Sequence, residues 1–237
     1  MFLMNKWFIK LLTAFLIVTC VLAPVNAKKK NKVVYLTFDD GPSSNTPEIL
    51  KVLNKYHVKA TFFVIGINNT KYQKYIKKAY LSGHAIGLHS YNHSYKNYKS
   101  VKKYFEDLKK ISDVVMDKTG EESKLLRFPG GSSNTISRRY KKKIMTKLTK
   151  EVTDKGYKYY DWNLDSGDAD GNNMPVDYIV NRSKSKMSEI CLLMHDAKPK
   201  TNTVKALPEI IKYYKSRGYQ FKTLKKTKFT CHHHINN

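Results

Sequence analysis

Cysteine is scarce in this 237-residue chain, with three in all. A fold stapled by several disulfides is excluded on that count. Cys191 lies within the apolar run I-C-L-L-M and reads as a buried strand residue, while a bridge from it to Cys231 stays open at this stage. Acidic residues are scarce as well: 19 Asp and Glu stand against 44 Lys and Arg, a formal net charge of +25. Such a balance implies polyanionic surroundings. The lysines are nevertheless spread over most helical segments, as in K-Y-Q-K-Y-I-K-K and K-K-Y-F-E-D-L-K-K, so they read first as solvated helix faces and not as one binding stripe. No break in composition marks a linker.

Residues 1–27 stand apart from the fold. Lys6 and Lys10 give a basic start, Leu11 to Leu22 is almost wholly apolar, and Val25-Asn26-Ala27 supplies small-residue cleavage chemistry before a lysine run. The apolar stretch is short for a membrane span, so the segment reads as a signal peptide, with an uncleaved anchor as the alternative. Thr19 is a poor residue ahead of a lipoprotein cysteine, which leaves Cys20 an ordinary member of that stretch. The chain is therefore expected to be secreted or held at the cell surface. There it meets anionic wall polymers or a membrane surface sooner than nucleic acid, and residues 28–237 are expected to form a single domain.

Within 28–237, apolar runs that read as strands alternate with amphipathic stretches that read as helices. The spacing predicts strands at 33–38, 60–66, 85–89, 125–128, 157–163, 190–195 and 219–224. Gly83, Gly120, Gly156 and Gly218 stand where helix C-caps belong. The βαβ alternation implies a mainly parallel sheet, and the near-continuous apolar strands imply that both faces are covered, as in a barrel or a doubly wound sheet. In either architecture reactive residues gather at the C-terminal strand ends. The chain obeys this rule: Asp39 and Asp40 follow the first run, His89 and Arg127 end the third and fourth, Asp165 and Asp168 follow the fifth, and His195 ends the sixth.

His89 and His93, four apart in H-S-Y-N-H, would share one side of a helical turn, a metal-ligand spacing. It is not the zincin pattern, because Ser90 stands where that motif needs glutamate. A carboxylate from Asp39-Asp40 would complete three ligands and leave open positions. Neighbouring residues of an extended chain point opposite ways, which suits one acid to the metal and the other to base work, with Arg127 as partner of the base. His195, oriented by Asp165 or Asp168, has the makings of a general acid.

Five motifs in order, T-F-D-D-G-P, H-S-Y-N-H, R-F-P-G-G, W-N-L-D-S-G-D-A and L-M-H-D, make the chain resemble the polysaccharide deacetylases, carbohydrate esterase family four, over residues 32–224. The resemblance implies an α/β fold, a distorted (β/α)7-type barrel. It implies Asp39 as the base, Asp40, His89 and His93 as ligands of a divalent metal (zinc first, cobalt also compatible), and Arg127 as partner of Asp39. His195 would be the acid, oriented by Asp168. Leu193 would receive the acetyl methyl, and the Gly130 N–H would meet the oxyanion. The implied reaction removes N-acetyl groups from N-acetylglucosamine in a glycan, peptidoglycan above all. Chitooligosaccharides, O-acetyl xylan and a non-catalytic wall-binding module on the same fold are the alternatives. Two positions depart from the pattern. Gly130 stands where tyrosine is usual, and Ala169 where tryptophan is usual, which leaves Trp162 as a replacement groove wall or a strand-core residue. C-H-H-H at 231–234 lies beyond the last strand near the terminus and is given no role.

Overall fold

Residue parity along the strands decides what faces where. In β1 (Val33–Asp39), Val33 and Tyr35 pack with Phe63, Ala85, Leu125 and Cys191 inside the curl of the sheet, whereas Val34, Leu36 and Phe38 pack outward against the helices. Asp39 shares the parity of Val33 and Tyr35, so it projects to the inner side at the strand's C-terminal end. A computed structural model describes residues 31–66 and 70–236 of this arrangement, and the described residues form one compact unit. The expected signal segment 1–27 lies outside the described residues.

Eight parallel strands make the sheet. They are β1, β2 (Thr61–Ile65), β3 (Ala85–Ser90), β4 (Leu125–Leu126), β5 (Lys158–Tyr159), β6 (Leu164–Asp165), β7 (Glu189–His195) and β8 (Gln220–Phe221). Their order is β5-β4-β3-β2-β1-β7-β6, with β8 also paired to β1. Helices α1 (Thr46–Lys55), α2 (Thr70–Leu81), α3 (Val101–Thr119), α4 (Ile144–Asp154), α5 (Val176–Arg182) and α6 (Thr201–Ser216) connect and cover the strands. The expected α/β fold, a distorted (β/α)7-type barrel with a mainly parallel sheet, is the fold observed, its sheet curling into a half-barrel. Gly83, Gly120, Gly156 and Gly218 all adopt φ between 72° and 80°. At Gly120, the left-handed residue that ends α3, the N–H donates to Met116 O at 2.8 Å. Among the described residues no helix is long and apolar enough to cross a membrane.

Three expected strands are corrected. The run 157–163 is not continuous, because its backbone changes partners midway. Tyr160 N donates to Leu126 O, in β4, whereas Asn163 N donates to Cys191 O, in β7. Residues 160–163 thus cross between the two end strands of the sheet, with β5 before them and β6 after. The fourth and seventh expected strands are likewise cut to two residues each, Leu125–Leu126 and Gln220–Phe221, although Arg127 N still donates to Leu88 O.

Candidate active site

Arg127 is fully buried in the middle of the inner face. Its Nη1 donates to Asp39 Oδ1 at 2.9 Å and Thr37 Oγ1 at 2.7 Å, its Nε to Tyr160 O at 3.0 Å, and its Nη2 to Asp161 O at 2.8 Å. Saturating a guanidinium in this way removes its freedom to rotate and holds one oxygen of Asp39 in place. Burial pushes the Asp39 carboxyl above its ordinary pKa, and Arg127 is the strongest influence opposing that rise. Asp39 is therefore a more basic carboxylate than an exposed one, with Oδ2 on the side of the histidines, 3.9 Å from His89 Nε2.

Asp40 is turned away from its neighbour by a left-handed backbone, φ 69°. Its Oδ1 lies 3.5 Å from His89 Nε2 and 3.4 Å from His93 Nε2. That oxygen is buried and has no hydrogen-bond partner among the described residues. His89 Nδ1 meets the Arg127 carbonyl at 2.8 Å, and since a carbonyl can only accept, the proton sits on Nδ1 and the Nε2 lone pair faces Asp40. Burial drives the His89 ring down to a pKa of about 3, which keeps it neutral and ligand-competent. Two atoms that bind one tetrahedral ion at about 2.1 Å lie about 3.4 Å apart, so the spacings suit a shared divalent cation. The site is thus built as an Asp-His-His metal set.

The expected helical turn between the histidines is not what brings them together. After β3 the chain bends, and His93 itself is left-handed, φ 51°. Ser90 Oγ accepts from His93 N at 2.9 Å and donates to Asp107 of α3 at 2.8 Å, and Asp107 also accepts from Tyr91 N at 2.8 Å. Asp107, buried on the helix, clamps the turn that carries the second imidazole. Its position within the amphipathic lysine-rich pattern of α3 conceals that task.

Asp39 and His195 are register partners across β1 and β7. His195 Nδ1 is 2.7 Å from Asp168 Oδ1, and the His195 backbone N–H donates to Asp168 Oδ2 at 2.8 Å. Thr203 of α6 donates to the same carboxylate at 2.8 Å. Of the two acids that strand-end position alone allows, Asp168, the one the resemblance implies, holds the imidazole, while Asp165 is spent on Gly167 N at 2.8 Å. Burial opposes the charged ring, but the hydrogen bond and charge of Asp168 outweigh it and carry the His195 pKa up to about 9.

Gly130 is exposed at the rim, with φ 76°, and Leu193 is buried on the inner face two residues before His195. A Cβ at residue 130 would stand 3.0 Å from Tyr95 Oη, and the Tyr95 ring packs edge-on against His93. An aromatic side chain therefore occupies this corner from the turn just after the second motif and not from the third motif, a residue that motif reading overlooks. Trp162 is half-buried beside Gly131 and belongs to the crossing segment, so its strand-core reading does not hold. Ala169 is exposed. Cys191 and Cys231 are both buried free thiols, which closes the question of a bridge.

The sequence model of the family described as polysaccharide deacetylase matches residues 26–148. A peptidoglycan-N-acetylglucosamine deacetylase of Bacillus cereus is 35% identical over 200 residues, which cover 81% of this chain and 69% of that protein. Among solved structures, the catalytic domain of the peptidoglycan N-acetylglucosamine deacetylase from Eubacterium rectale superposes with a TM-score of 0.82 at 39% identity, covering 87% of this chain and 94% of that one. The polysaccharide deacetylase Bc1974 from Bacillus cereus gives 0.74 at 32% identity, with 85% and 97% covered. With the ordered motifs converging on one rim of a parallel half-barrel, these likenesses make the chain a member of the polysaccharide deacetylase family.

Proposed function

We propose that this chain hydrolyses the N-acetyl group of N-acetylglucosamine units in a glycan, peptidoglycan first, so that water and amide become acetate and a free amine. The observation that carries the reading is the Asp39 and His195 register pair flanking the Asp40, His89 and His93 set. With Oδ1 held by Arg127, Asp39 is left with Oδ2 to take a proton from the attacking water. His195, charged and oriented by Asp168, gives a proton to the departing nitrogen. The Gly130 N–H meets the developing oxyanion, and Leu193 faces the acetyl methyl. Asp40, His89 and His93 would hold a divalent ion, zinc first and cobalt as the substitute, which supplies carbonyl polarisation and a lowered pKa for water. Residues 1–27 support export, and the +25 charge supports retention on anionic wall polymers or a membrane surface.

Acetate release tests the reading. Zinc- or cobalt-loaded protein is expected to release acetate from wall glycan and chitooligosaccharides, with a matching loss of acetyl mass in the glycan fragments. Release from acetylated xylan alone would move the substrate class to esters. No release from any amide substrate, with Asp39→Asn indistinguishable from the parent, would refute the activity.

The pH profile gives a second expectation. Because the acid form of His195 is the working form and its pKa lies at about 9, kcat/KM should fall above about pH 9. Asp168→Asn removes the charge that raises this pKa and leaves the burial that lowers it. The alkaline limb should then move down by more than about one pH unit, with kcat reduced about 100-fold. An alkaline limb that stays in place in Asp168→Asn would take the acid role away from the His195 and Asp168 pair.

A further inference from the structure

The segment 231–236 is tied into the site more tightly than a segment beyond the last strand needs to be. His233 N donates to Asp161 Oδ2 at 2.8 Å, its Nε2 lies 2.6 Å from Trp162 O, and its Nδ1 lies 3.0 Å from Ser133 Oγ. A carbonyl only accepts, so Nε2 carries a proton, and the serine hydroxyl can serve the other nitrogen. The ring also packs edge-on against Trp162, with centroids 4.6 Å apart. Asn236 Nδ2 adds a bond to Ser133 O at 3.2 Å, and Cys231 O accepts from Asp161 N at 2.7 Å.

The Asp161 side chain, wholly buried, completes the clamp. Its Oδ1 accepts from Ser132 N at 2.8 Å, and its Oδ2 accepts from Ser132 Oγ at 2.5 Å as well as from His233 N. The loop so held is the one that carries Gly130. Gly130 and Gly131 have φ of 76° and 77°, and two adjacent left-handed glycines make a soft hinge. On its near side Tyr98 Oη donates to Pro129 O at 2.9 Å, and on its far side the supports are the bonds that Ser132 and Ser133 make to Asp161, His233 and Asn236. Trp162 lies over the same hinge, close enough that a Cβ on Gly131 would meet it at 3.0 Å. An oxyanion donor acts only when it is held within about 0.5 Å of its working place.

We propose that His233 is a positioning residue for deacetylation: it locks the 130–133 loop to Trp162 and so, with the Tyr98 bond to Pro129 O on the other side of the hinge, holds the Gly130 N–H and the adjoining groove wall in place. This role rests on the deacetylase reading above. His233 touches neither the Asp40, His89 and His93 set nor His195, so metal content and the alkaline limb are expected to stay as they are when it is changed.

The test uses the full chain, metal-loaded, with wall glycan as substrate. His233→Ala should lower kcat about tenfold while KM changes less than about threefold and bound metal is unaltered. His233→Gln, whose amide can still donate to the Trp162 carbonyl, should recover part of the loss. On a Ser133→Ala background the His233→Ala change should cost less than on the parent, because the two side chains share a bond. With Trp7→Phe, Trp162 is the single tryptophan of the chain, and its emission should become more accessible to acrylamide in His233→Ala. Where His233→Ala does not fold, Ser133→Ala alone should still lower kcat about threefold. An active parent whose kcat is unchanged by His233→Ala, or by Ser133→Ala in its stead, overturns the positioning role alone, as does a loss that merely follows loss of metal. A parent that releases no acetate overturns the deacetylase reading and this role with it.

Discussion

An Asp39→Asn protein is expected to fold, to bind its divalent ion as the parent does, and to release acetate about 1,000-fold more slowly. Asparagine keeps an oxygen for Arg127 Nη1 but cannot take a proton from water. The buried guanidinium loses its counter-charge in this variant, and breaking a buried ion pair costs about 3 kcal/mol. Folding should survive, because Arg127 retains Thr37 Oγ1, Tyr160 O and Asp161 O as acceptors. Elemental analysis for metal, a thermal melt and acetate release together separate these effects. Turnover within about tenfold of the parent, with metal retained, would remove Asp39 from the base role.

Asp40→Asn should fail in the opposite order. A neutral amide oxygen is a poorer ligand than a carboxylate for a dication, and two imidazoles alone leave the set incomplete. Affinity for zinc is expected to fall by at least about 100-fold, read by competition with a chelator, and activity at limiting zinc should vanish. Added metal should restore part of it, which it cannot do for Asp39→Asn. The substitution is clean with respect to the backbone, since asparagine tolerates the left-handed φ of 69° that residue 40 adopts. Unchanged zinc affinity in Asp40→Asn would separate this carboxylate from the metal set.

These contrasts depend on a division between adjacent acids that is partly visible in the residues alone. Strand parity directs Asp39 inward with Val33, Tyr35 and Thr37, and the motif order marks the partners. Less visible is how the division is enforced. Asp39 stays in the strand, in register with His195, while the left-handed turn at residue 40 swings the next carboxylate toward the histidines. The i, i+4 spacing of His89 and His93 suggests a helix because spacing reports only local periodicity. The actual bend is imposed by Ser90 and by Asp107, which arrives from α3. The run 157–163 reads as one strand for the same reason: its apolar and aromatic content is continuous, but its hydrogen-bond partner changes from β4 to β7 within it.

What the sequence by itself determined is the alternation of strands and helices, the gathering of acids, imidazoles and a guanidinium at strand ends, and the family those motifs mark. These are properties of single segments, written in the period of their side chains and in local backbone preference. Tertiary structure alone decided which distant segments meet. It set Tyr95 against Gly130, left Cys191 and Cys231 unjoined, and brought His233 to Ser133 and Trp162. Each of these pairings joins separate segments of the chain, and only the packing of the whole sheet chooses among the partners that chemistry would allow.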